Sequence, residues 1–185
     1  MNKYLRALVV IPTGGIKMGL LKLSRGGKFS GPLLCQVSPL SEITFDRGGE
    51  LKIGAGFKMR DGAKLRVRKG AKCRFGRNVS LGSFNVINCQ KSITIGDDVI
   101  LSPNVQIYDH DHDYACQGGI AAGRFITGPV EIGSNVWLGA NCVILRGTKI
   151  GDNCVIGANT LVKGEIPANS VVYQERNNII KIREK

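Results

Sequence analysis

The stretch VEIGSNVWLGANCVILRGTKIGDNCVIGANTLV, residues 130–162, decides the fold. It places an aliphatic side chain at every sixth position: Ile132, Leu138, Ile144, Ile150, Ile156 and Val162. Gly133, Gly139, Gly151 and Gly157 follow four of these, and two residues before each stands Val130, Val136, Cys142, Thr148, Cys154 or Thr160. Helical periodicity does not produce this pattern. A spacing of two puts both members of a unit on the same side of a short strand. The Gly or Asn after the aliphatic residue is expected to supply the positive φ of a sharp corner. Three units then make one triangular turn, and successive turns pair in parallel about 4.8 Å apart, Ile above Ile.

Weaker copies run upstream as Ile95, Leu101, Ile107, then Phe75, Leu81, Ile87, then Ile53, Met59, Leu65. Grouped in threes, the aliphatic positions predict five coils, starting near residues 53, 75, 95, 132 and 150. The widest join is the 25 residues from Ile107 to Ile132, so a loop over about 108–128 leaves the wall. The expected organisation is an N-terminal basic cap (1–41), a β-helix domain (42–170) and a C-terminal tail (171–185).

With 25 Gly and only 6% aromatic residues, the 185-residue chain suits one thin-walled domain rather than a bulky globule. Its six cysteines (35, 73, 89, 116, 142 and 154) form no CxxC pair and show no Cys/His ligand spacing. Cys142 and Cys154 lie on the inward register and are expected to be core fillers. Lys3 and Arg6 precede a short apolar run, Ala7–Ile11, which Pro12 is expected to end, and no small-residue cleavage site follows. No stretch approaches the roughly 20 apolar residues of a membrane helix. Reduced thiols and a cytoplasmic location are the expectation. Charge is uneven: residues 1–78 hold 17 Lys/Arg against four Asp/Glu, while residues 79–185 hold nine against ten. The excess over 1–78 suits a polyanion or an anionic surface.

Where the wall breaks stands Tyr108-Asp109-His110-Asp111-His112-Asp113-Tyr114, with the only two histidines of the chain. Taken with the Pro-Asn-Val strand at 103–105 and the hexads at 132–140, this resembles the hexapeptide-repeat acyltransferases, in particular the sugar O-acetyltransferase branch that includes galactoside, maltose and capsule-modifying enzymes. The resemblance covers about residues 50–170 and is strongest over 93–167. It implies an all-β, left-handed parallel β-helix, a homotrimer with each site between neighbouring prisms, and acetyl-CoA as co-substrate with no metal. The acceptor it implies is a sugar hydroxyl of a cell-surface or capsular glycan or its precursor. By the same resemblance His110 is the general base, with His112 the alternative, and the amide of Ala140 serves the oxyanion. Gly139, Gly157, Ala158 and Lys163 then lie along CoA. The residues themselves add Trp137, whose indole could pack on pantetheine or acceptor, Asn85, Asn88 and Asp109 near the His loop toward the acceptor, and Arg124 toward acceptor or CoA phosphate. The acidic and Asn residues of the galactoside-type enzymes do not align cleanly here. Imidazole suits the work, since it can take the proton of a weakly nucleophilic hydroxyl near neutral pH.

Other readings stand beside these. Asp and His are both metal ligands, and His110 and His112 at i, i+2 share one face of an extended strand. Asn85 and Asn88 are also explained as turn residues, Trp137 as an oligomer contact and Lys163 as a solvated lysine. The acceptor could instead be an amino sugar or another small molecule, or the β-helix a non-catalytic assembly protein. The basic ridge from Lys64 to Arg77 is either solvated or meets an acidic or lipid-linked glycan or the inner leaflet. It lacks the interleaved aromatics of a nucleic-acid surface, so none is expected. Residues 1–41 hold six basic residues and no acidic one. They read as an amphipathic membrane-facing segment or as a cap over the first coil's open edge.

Overall fold

The computed structural model describes residues 3–175, 177 and 179–183, with the backbone alone for residues 3–6, so the side chains of Lys3 and Arg6 lie outside the description. Short strands wind into a left-handed parallel β-helix of three flat faces. The first face stacks seven strands from Phe29–Ser30 to Glu165–Ile166, and the second stacks seven from Gln36–Val37 to Val171–Val172. The third stacks six, from Glu42–Phe45 to Leu161–Val162. That gives six full turns and two further strands, against the five coils expected.

The extra turns sit at the two ends. The first coil keeps the six-residue step as Gly31, Val37 and Ile43, in register with Ile53, Met59 and Leu65, but Gly31 breaks the aliphatic pattern, and the buried Phe29 and Phe45 share the interior with it. Two of its three strands fall inside the segment expected to be a cap, and the third, Glu42–Phe45, opens the expected β-helix domain. At the other end Ile166 follows Val162 after four residues, and this shortened join hides the last two strands.

Inside, like stacks on like. Ile53, Phe75, Ile95, Ile132, Ile150 and Ile166 form one column, and Leu65, Ile87, Ile107, Ile144 and Val162 another. Cys142 and Cys154 are buried in the same interior, and burial pushes the Cys142 thiol above its ordinary range.

The corners correct one expectation. The glycines after the aliphatic positions do not take positive φ; that duty falls two residues later, on Asn135, Asn141, Asn153 and Asn159, at φ 55–59°. Asn tolerates this region better than other side chains, and its amide adds a ladder. Asn104 Nδ2 donates to Asn141 Oδ1 at 2.8 Å, and Asn141 to Asn159 at 3.0 Å. The hexad glycine answers a different need: a Cβ on Gly133 would sit 2.8 Å from the backbone of Gly151 in the next turn. It is small because two turns meet there.

One helix, α1 (Lys3–Arg25), covers the open N-terminal end. It runs through Pro12, which was expected to end the apolar run. One ladder bond is lost there, but packing holds the helix to the first coil. Met18 is fully buried, and a Cβ on Gly14 would meet the Cys35 carbonyl at 2.7 Å. Lys17 Nζ donates to the carbonyls of Ser38, Pro39 and Ser41 at 2.9, 3.1 and 2.6 Å. Burial lowers its pKa. Over Ala7–Lys28 the mean hydropathy is 1.3, long and apolar enough to cross a membrane by length and composition. The sequence expectation of no such stretch is therefore corrected; it failed because Pro12 was taken as a boundary.

The basic ridge is partly paired. Arg66, Arg68 and Arg74 meet Glu42, Asp46 and Glu50 from the coil below, at 3.9, 3.6 and 3.4 Å. The Arg77 guanidinium and backbone amide hold the Asp97 carboxyl below its usual range. Lys58, Lys64 and Lys72 project from exposed positions.

Ile107, fully buried between Ile87 and Ile144, tests the column. Ile107→Ala should cost about 2–5 kcal/mol in urea unfolding, whereas Leu161→Ala, on the outer side of the same face, should stay within about 0.5 kcal/mol.

Candidate active site

The last wall strand before the excursion is Gln106–Tyr108. Its alternation turns Val105 and Ile107 inward and Gln106 and Tyr108 outward, so the next inward place belongs to Asp109. Asp109 is fully buried. Its carboxylate accepts three backbone N–H groups from the coil below: Gln90 at 2.8 Å, Lys91 at 2.7 Å and Ser92 at 2.8 Å. The reason lies in the break. One coil down, the N–H of Lys72 donates to the carbonyl of Lys91 in the turn above. Ser92, the register equivalent of Lys72, has had the chain leave above it, and the Asp109 carboxylate takes the place of the lost carbonyl.

The excursion is a hairpin. His110–His112 pairs antiparallel with Phe125–Thr127, and a short 3-10 turn, Gly119–Ala122, lies between them. The Gly128 N–H donates to the Asp109 carbonyl at 2.9 Å and closes the base. Asp111 accepts from Arg146 Nε, which ties the hairpin to the fifth coil.

His110 stands against Asp109, with Nδ1 3.1 Å from Oδ1. Its ring meets Phe125 edge-on at 5.1 Å and Tyr108 at 6.0 Å, and its side chain is 9% exposed. With Nδ1 given to the carboxylate, Nε2 has no partner among the described residues. His112 rests on Phe125 at 4.7 Å but is exposed and has no carboxylate at its ring. Only one of the two imidazoles is thus oriented by an acid.

The remaining candidates divide. Asp109 and Asn85, expected near the acceptor, are fully buried. Asn85 holds an inward place, where its Oδ1 accepts the Val105 N–H at 3.0 Å. Asn88 faces outward beside Tyr108 and Arg66, and its Oδ1 is buried without a hydrogen-bond partner. Arg124 is exposed at the far end of the hairpin, and Lys163 is exposed on the third face.

Trp137 stands on the second face between Ile100 and Val155, half-exposed, and donates to Ser102 Oγ at 2.9 Å. Gly139, expected along CoA, is buried, and a Cβ there would lie 2.6 Å from the Ala158 nitrogen, so it serves the packing of turns. Ala140 and Ala158 form the corner column between the second and third faces, with Gly157 half-buried beside them. The Ala140 amide donates no hydrogen bond among the described residues. Ala140 lies above Pro103, at the opposite edge of the third face from His110, a separation of roughly 15 Å along the strand.

Sequence reading missed the parts of the loop that hold it in place: Tyr108, Phe125 and the Asp111–Arg146 pair. Strand parity signals the inward position of Asp109, whose carboxylate holds three backbone amides. Asp109 and Asp111 are engaged by backbone and Arg146. No group of three or more His, Cys, Asp or Glu among the described residues could hold a metal ion.

Residues 129–164 match the sequence model of a family described as bacterial transferase hexapeptide (six repeats). The chain is 36% identical to the putative lipopolysaccharide biosynthesis O-acetyl transferase WbbJ of Escherichia coli, over 58% of this chain and 59% of that protein. It is 38% identical to the galactoside O-acetyltransferase of Escherichia coli, over 52% of this chain and 50% of the other. It thus spans less than two thirds of the length of these curated relatives. In structure it resembles AntD, an N-acyltransferase from Bacillus cereus solved with dTDP and 3-hydroxybutyryl-CoA, with a TM-score of 0.69 and 19% identity over 91% of this chain and 88% of that one. The hexapeptide-repeat resemblance read from the sequence is borne out.

The Asp109 arrangement is open to test. Asp109→Asn turns an amide NH2 toward backbone donors and should cost about 2–4 kcal/mol in urea unfolding. Asp111→Asn, which loses a half-exposed ion pair, should cost less than about 1 kcal/mol. Equal losses would show that the corner hydrogen bonds do not hold this turn.

Proposed function

We propose that this chain is an acetyl-CoA-dependent O-acetyltransferase acting on a sugar hydroxyl of a cell-surface or capsular glycan or its precursor. The observation that carries the reading is His110, set by a buried carboxylate at the point where a hexapeptide-repeat wall breaks. O-acetyltransferase is also the activity by which the two Escherichia coli relatives are named.

In this mechanism Asp109 orients the ring through Nδ1, and Nε2 takes the proton of the acceptor hydroxyl as its oxygen attacks the thioester carbonyl. The Ala140 amide donates to the developing oxyanion. The intermediate collapses to the acetyl ester, and the CoA sulfur leaves with the proton that His110 returns. Small residues at Ala140, Gly157 and Ala158 give the pantetheine arm a corner to follow, Trp137 and Lys163 lie along the CoA path, and Asn88 lies beside Tyr108 on the acceptor side. Arg124 and the exposed His112 stand at the rim.

His110 and Ala140 occupy opposite edges of one face. A complete site therefore needs His110 of one prism against the Ala140–Ala158 corner of another, which a homotrimer provides. The basic N-terminal half draws this cytoplasmic enzyme to acidic or lipid-linked acceptors at the inner membrane face. An amine acceptor is the second reading, because a β-helix wall does not spell out which nucleophile fits.

Release of CoA thiol, followed with a panel of sugars and amino sugars, tests the reading. His110→Ala should lower kcat by about 10²–10⁴-fold, with His112→Ala far milder. The product should lose its acetyl group in mild alkali, as an ester does and an amide does not. Unchanged CoA release in both variants would overturn the catalytic assignment.

A further inference from the structure

The helix that closes the N-terminal end of the prism has two apolar sides, and the fold uses one. The inner side of α1 turns Val10, Gly14 and Met18 onto the first coil. The outer side carries Leu8, Val9, Pro12, Ile16, Leu20 and Leu23 in one stripe, the i, i+4, i+8 rows of a helix. All six are exposed, Leu23 at 87% and Leu8 at 73%. The stripe continues on both flanks. Leu33, whose carbonyl lies beside Gly15, and Leu34 are exposed on one side. Leu40, adjacent to the carbonyls that Lys17 holds, is exposed on the other. A soluble chain rarely leaves so many leucines together in water.

We infer that this end of the β-helix is a docking surface for an anionic phospholipid bilayer, with α1 lying flat in the interface. This names the surface behind the membrane contact of the preceding reading, and it rests on α1 rather than on acetyl transfer.

Charge selects the occupant. Residues 1–41 contain six basic side chains and no acidic one, and residues 1–78 hold 17 against four. Lys22 and Lys28 are exposed beside the stripe. An apolar helical face rimmed by lysine with no carboxylate is the pattern of an interfacial helix on acidic headgroups. A second copy would bring an equally basic end against it, so self-association through this face is opposed by like charge.

Geometry fixes the mode of binding. To span the bilayer α1 would have to leave the prism, releasing Met18 from the core and Lys17 from three carbonyls. It would also carry Lys17 and Lys22 into hydrocarbon. Lying on the surface costs none of this.

The test is co-sedimentation of the full chain with vesicles of phosphatidylcholine alone or with a third of phosphatidylglycerol. The protein should pellet with the anionic vesicles, stay in solution with the neutral ones, and be released by alkaline carbonate. The double variant Leu20→Glu, Leu23→Glu should lose more than about tenfold in partitioning, with its urea midpoint and CoA release unchanged. Failure of wild type to pellet, or pelleting of the double variant as well as wild type, overturns the proposal. Resistance to carbonate overturns the flat-lying mode. Concentration-dependent association without lipid that the double variant abolishes, or an acidic protein partner held in place of vesicles, overturns the lipid assignment. Because CoA release is read separately, a failure here is distinct from a failure of the acetyl-transfer reading.

Discussion

Along the three faces of this molecule the backbone amides pair with carbonyls one turn away, in a chain running the same direction. Coil-to-coil pairing of this kind has no tolerance for a slipped register, since one residue of slip would turn an inward column out. The six-residue step, the asparagine corners and the small hexad glycines all serve to bring each strand back over the last. Length can be added only at a corner, and the ladder left open there has to be closed by something. Asp109 does that. It occupies an inward place with a carboxylate where the regular pattern would put a hydrocarbon, and it receives the N–H groups that the departing chain no longer serves.

The same carboxylate meets His110 Nδ1. Repair of the wall and orientation of the imidazole are therefore one structural event. A histidine on a free loop would sample many positions, whereas one placed next to a fully satisfied buried acid inherits the rigidity of the prism. The hairpin beyond it is pinned at its base by Gly128 and along its length by Arg146.

How far the sequence speaks depends on how periodic the physics is. The five central coils and the excursion at 108–128 are legible because each turn repeats a steric demand. The first coil is not, because Gly31 stands where the column has Ile53 one turn on, and the Phe29 ring lies against it. Gly139 and the corner asparagines show a subtler limit. Composition at a corner is visible, but whether Gly is there for backbone freedom or for the approach of the next turn depends on contacts 18 residues away in the chain. Asn85 and Asp109 were legible in principle by parity. Each inward polar side chain meets backbone amides, a duty that parity indicates and composition does not. The outward apolar stripe of α1 was obscured by Pro12, a residue that usually ends a helix and here does not.

The two ends of the prism are built differently. At the start, α1 covers the first turn and its lysine gathers three loose carbonyls; at the finish, the third face stops at Leu161–Val162 and the chain beyond Val171–Val172 carries no further strand among the described residues. A stack in which each layer leans only on its neighbours behaves as a one-dimensional array, so it should open like a zipper from the end away from α1. Amide exchange would then run as a gradient, fastest in the sixth turn and slowest in the turns under the helix. The corner at Ala140–Ala158 lies on the breathing part of that gradient and His110 deeper in the quiet part. The two edges of the third face thus differ in rigidity, the Ala140–Ala158 edge loosening while the His110 edge keeps its shape.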